Sequence, residues 1–112
     1  MRVLCLLLLT SCGLHVRNID ARLVREGADA AIEEDSRAQP IVDNLEVMGY
    51  PVADMRRVCR RLDLSKVEGC AFHRGTWPYP SRIAVANDVD DIVAITKHEV
   101  LNLVFWDEGY DQ

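Results

Sequence analysis

The chain has 112 residues, 49% of them hydrophobic and 28% charged, and a formal net charge of −5 at pH 7. That length is one domain with a modest core. The acidic balance supplies no general basic field for nucleic acid, and the ordinary apolar fraction excludes a disordered chain.

The first twelve residues, MRVLCLLLLTSC, are unlike the rest. One arginine, an apolar run from Val3 to Leu9 and small residues ending in a cysteine form the layout of a secretory signal, and the run is too short to span a bilayer. The tetrad Leu9-Thr10-Ser11-Cys12 resembles the lipobox of bacterial lipoproteins, although the basic and apolar regions are shorter than is usual for that family. The resemblance implies cleavage of residues 1–11 and a diacylglycerol on Cys12. It also implies a membrane-anchored lipoprotein exported to the periplasm or cell surface, and Gly13 after the cysteine fits outer-membrane sorting. Export to an oxidising compartment favours pairing of the remaining cysteines, Cys59 and Cys70. The short loop between them leaves zinc ligation by these two alone disfavoured, for want of a second closely spaced pair.

Residues 12–34 are polar, alanine-rich and weakly patterned, and read as a tether with some helix. The folded domain is expected over 35–112. Asp35 or Ser36 can cap a helix, Pro40 suits a first turn, and Ile41, Leu45 and Met48 form one apolar stripe before Gly49, so a short amphipathic helix is expected there. Residues 57–62 then read as a strand with Val58, Arg60 and Leu62 on one side, and 70–73 and 82–86 as two further strands. The connecting GTWPYPS contains two prolines and a glycine and reads as a loop. Arg56, Arg57, Arg60 and Arg61 read as a solvated basic face, and Trp77 and Tyr79 as aromatics packed on their own loop.

The last helix begins after Asp90 or Asp91 and runs without a breaker to Phe105. At 100° per residue, Asn102 lies about 40° and Glu99 about 100° from His98, so the three share one broad sector. Val93, Val100 and Val104 lie opposite, and the helix is apolar nearly all round, which places it at the centre of the domain. Such a helix needs cover on two sides. The expected sheet and the Ile41 helix supply too little, leaving a longer reading frame, a partner chain or the tether to complete it.

His98-Glu99-Val100-Leu101-Asn102, HEVLN, resembles the HExxH helix of zincin-type metallopeptidases. In that motif two imidazoles one turn apart hold zinc, and the glutamate between them takes a proton from the metal-bound water. The resemblance, extending over roughly residues 58–111, implies the upper half of a zincin-like fold. Its zinc would be held by His98, the residue at position 102 and a downstream ligand, Glu108, with Asp107 and Asp111 nearby. Glu99 would be the general base. Asn102 departs from the motif, because an amide carbonyl binds zinc less well than imidazole. The expected protein is therefore an α+β lipoprotein with a short helix, a small antiparallel or mixed sheet and a long buried C-terminal helix. Its zinc peptidase site is impaired, and its partners are the membrane and a protein or peptide substrate. The alternative is a non-enzymatic cell-envelope or phage-encoded lipoprotein that binds a partner protein.

Overall fold

The structure is a computed structural model, and it describes residues 13–72 and 81–106. The expected signal segment 1–11, Cys12, most of the proline-rich loop with Trp77 and Tyr79, and the acidic tail with Asp107, Glu108 and Asp111 lie outside these residues. The order is β1 (His15–Arg17), α1 (Ala21–Glu34), α2 (Ala38–Val42), β2 (Leu45–Tyr50), α3 (Val52–Val58), β3 (Gly69–Phe72), β4 (Ser81–Ala86) and α4 (Ile92–Trp106). The four strands form one mixed sheet in the order β1-β2-β4-β3, with β1, β2 and β4 parallel and β3 antiparallel to β4. The α+β class, the mixed sheet and the C-terminal helix packed against it are as expected from the sequence.

Alternation along the strands divides the molecule into two unequal halves. Val16, Leu45, Val47, Ile83 and Val85 turn to one face, where they meet Val24, Ala28 and Ala31 of α1, Ala38, Ile41 and Val42 of α2, and Val100, Leu103 and Val104 of α4. On the other face Ala84 and Ala86 meet Met55 of α3, with Val52, Val58 and Tyr50 around them. The first cluster is the main core; the second is a small satellite beneath one short helix.

Three expectations are corrected. Residues 13–34 are not a tether: β1 is paired with β2, and α1 buries Val24, Gly27, Ala28 and Ala31. Its start is capped by Asp20, whose carboxylate accepts the N–H groups of Arg22 and Leu23 at 2.9 and 3.4 Å. Alanine richness here reflects close helix packing rather than a lack of core, since a Cβ on Gly27 would lie 2.6 Å from the carbonyl oxygen of Val93 and 2.7 Å from Cβ of Thr96. α1 thus supplies the second cover that the apolar α4 demanded.

The helix expected through Ile41, Leu45 and Met48 is in fact the five-residue α2 followed by β2. Leu45 and Val47 are fully buried while Glu46 and Met48 are only half-buried, a period of two that won because β2 is flanked by β1 and β4. Gly49 does not end a helix: it lets the chain entering α1 cross β2, where a Cβ would clash with the carbonyl of Asn18 and side chain of Ile19.

The strand expected at 57–62 is the end of α3 and its exit. Asp54 in the first turn and Arg56 and Arg57 in the last complement the helix dipole. Arg60 stands at φ 55°, and the N–H groups of Arg60 and Arg61 donate to the carbonyls of Arg57 and Arg56 at 3.2 and 2.8 Å, a Schellman closure with arginine in the position glycine usually fills. Leu62 has nothing to pack on and is 67% exposed.

Cys59 and Cys70 are bonded, with Cα atoms 6.0 Å apart, and so pin the end of α3 to the back of β3. Because this bond spans eleven residues and closes only the satellite cluster, its loss should lower stability by about 2–3 kcal/mol without dissolving the main core. Denaturant unfolding of the Cys59→Ser/Cys70→Ser variant and of the oxidised protein measures this; equal midpoints would mean that the bond contributes nothing.

Candidate functional site

The expected motif lies on α4 at the groove between that helix and β3. Ile92, Thr96, Val100, Leu103 and Val104 bury α4 among the sheet, α1 and α2. That rotation leaves one side of the helix at the rim: His98 is exposed, whereas Glu99 and Asn102 are 5% and 6% exposed. The boundary between solvent and core therefore passes between His98 and Asn102, although they stand one turn apart.

Glu99 and Asn102 are joined to each other. The Asn102 side-chain N–H donates to Oε1 of Glu99 at 3.1 Å. On the other side the glutamate rests on the start of β3, where a Cβ at position 69 would meet Oε2 of Glu99 at 3.1 Å and the Ile95 methyl at 2.6 Å. Gly69 is thus what allows β3 to run beneath the carboxylate. Sequence reasoning passed over it, because the one available signal was a glycine at the head of a strand candidate.

A concavity of about 400 Å³ opens along this line, with Lys66, Gly69, Asp91, Ile95, His98 and Glu99 among its walls. Lys66 and Glu68 form an exposed ion pair at 3.2 Å on its lip. β3 is also the edge of the sheet. Since Ala86 donates to the carbonyl of Glu68, antiparallel alternation turns the N–H and C=O groups of Gly69 and Ala71 outward from β4.

Burial pushes the Glu99 carboxyl above the ordinary 4.5 of a glutamate; the hydrogen bond from Asn102 and the nearby His98 only partly oppose it. The constellation is incomplete as a metal site among the described residues. Among the described residues no group of three or more His, Cys, Asp or Glu could hold a metal ion. His98 and Glu99 are brought to one groove, Asn102 is turned inward onto Glu99, and Glu108 lies outside the described residues. Comparison with known protein families, curated proteins and solved structures returns no match to this chain.

The raised Glu99 carboxyl has a signed consequence for stability. Below about pH 4.5 it is protonated in both folded and unfolded states and opposes neither. As pH rises through the higher folded value, the unfolded chain releases the proton more easily and stability is lost. Glu99→Gln keeps an acceptor for Asn102 and should be more stable than wild type at pH 7, the difference vanishing near pH 4. Asn102→Ala removes the donor and should cost about 1–3 kcal/mol at pH 7. Urea unfolding across this range reads both; a Glu99→Gln variant less stable at pH 7 would reverse the assignment.

Proposed function

We propose that this chain is an exported lipoprotein, anchored through Cys12, whose domain binds a partner in the cell envelope and performs no zinc chemistry. The observation that carries the reading is the Asn102–Glu99 hydrogen bond. A zincin glutamate must stand free beside a metal-bound water, with both ligands of its helix facing that water. Here the glutamate is tied inward and lies on Gly69 of β3, while His98 looks out to solvent. The residues that resemble a catalytic pair serve to seat α4 on β3.

Two further features support the anchored form. The Cys59–Cys70 bond suits an oxidising compartment. The Gly13 N–H is hydrogen-bonded to the Asp43 carbonyl at 2.7 Å, which ties the residue after Cys12 to the domain. No helix among the described residues is long and apolar enough to cross a membrane, and a lipid would supply the attachment. The partner surface is the groove of His98, Ile95 and Lys66 beside the outward groups of Gly69 and Ala71, which an extended segment can pair with as an added strand.

Zinc titration and in-cell crosslinking separate this from a peptidase. Wild type and Asn102→His should show no tight zinc site that depends on His98, and a photo-crosslinker at position 98 should give one discrete adduct that the same probe at Ala30 of α1 does not. Zinc-dependent peptide cleavage abolished by Glu99→Gln, or zinc affinity gained by Asn102→His and lost again with His98→Ala, would restore the peptidase reading.

A further inference from the structure

Among the described residues, α3 covers only half of the sheet face turned away from α1, α2 and α4. α3 lies over Ala84 and Ala86. The remainder, His15 and Arg17 of β1, Glu46 and Met48 of β2 and Arg82 of β4, lines a concavity of about 530 Å³. His15 pairs with Glu46, and Glu46 with Arg82, so the three form one row across the sheet. Arg82 bonds Glu46 at 3.1 Å, and among the described residues lining this concavity Arg17 and His15, both exposed, have no carboxylate of their own. In a chain of net charge −5, the described residues lining this concavity set two guanidinium groups and an imidazole against a single carboxylate. On the same side of the sheet Arg57 of α3 is paired with Asp54 at 3.2 Å, and Glu26, Asp29, Glu33 and Glu34 belong to α1 on the opposite side.

The position of this row matters. It is the end of the parallel strands where the chain enters: Gly13 is hydrogen-bonded to Asp43, and the Ser81 N–H to the carbonyl of Asn44 at 3.1 Å. Cys12 is one peptide bond from Gly13 and three residues from His15, so its Cα lies within about 11 Å of that of His15. A lipid on Cys12 has no tether to pay out.

We infer that the domain rests directly on the bilayer by this end of the sheet, with His15, Arg17 and Arg82 receiving the phosphate of an anionic phospholipid headgroup. The inference rests on lipidation of Cys12. A headgroup phosphate held at the membrane plane is the occupant that complements the two guanidinium groups and the imidazole beside them, and the short reach from Cys12 brings it to them without a diffusional search.

The full chain, isolated with its N-terminal modification and placed in nanodiscs, tests this. The discs contain phosphatidylcholine alone or with added phosphatidylglycerol, and a nitroxide headgroup lipid broadens nearby methyl signals. The Met48 methyl should broaden more than that of Ala30 on α1, and the difference should grow when phosphatidylglycerol is present. Arg17→Gln/Arg82→Gln should lose that preference while keeping its circular dichroism and its attachment. Equal broadening of the two methyls, or a preference unchanged in the double variant, overturns the inference. So does a saturable shift of Met48 with inorganic phosphate in phosphatidylcholine discs, which would make this a site for free phosphate. The mass of the N-terminal peptide reads the anchor separately. If it lacks diacylglycerol the anchor is wrong, and the same chain titrated with phosphatidylglycerol vesicles still decides the face: Met48-selective broadening supports it and its absence overturns it.

Discussion

The structure depends on the close approach of α1 to α4. An α-helix apolar nearly all round cannot lie on the surface, and one sheet face shields only one of its sides. α1 closes the other side, and Gly27 and Ala28 make the approach tight enough for the α1 backbone to meet the Val93 carbonyl and the Thr96 side chain. Lys97 is paired with Glu34 at 2.7 Å across the same junction, and Arg37 lies 5.7 Å from the ring centre of Phe105 where α2 meets the end of α4. These exposed contacts fix rotation more than they add stability. With the rotation of α4 fixed, Glu99 comes down over Gly69 and His98 is left at the rim; the groove is a consequence of how the tether-like segment packs.

What was legible in the sequence follows from which forces act locally. α4 was legible because fifteen residues without a breaker leave few alternatives, and β4 because Ile83 and Val85 alternate with short or polar neighbours. The Cys59–Cys70 bond followed from compartment and elimination. β2 was not legible: Ile41, Leu45 and Met48 satisfy the spacing of a helix while Leu45, Val47 and Gly49 satisfy that of a strand, and only pairing with β1 and β4 decides between them. The exit of α3 was hidden because its left-handed cap is Arg60 rather than glycine, so no residue announced the stop. α1 was misjudged because alanine and glycine carry little apolar surface on their own. Their contribution appears only when a second helix lies against them.

The candidate site shows the same limit at higher resolution. Spacing along a helix correctly placed His98 and Asn102 within about 40° of each other, but chemistry at a groove depends on where the line between core and solvent falls. Here it falls inside that arc. A histidine on the wet side keeps its imidazole free for a partner, and an asparagine on the dry side must find hydrogen bonds within the protein; Glu99 is the acceptor within reach. Once that bond forms, one carboxylate oxygen is engaged by Asn102, and burial favours the neutral form. An imidazole at position 102 would face the same dry environment and displace the same bond. The amide is therefore suited to its place as a packing partner for Glu99, on a helix that holds a sheet edge.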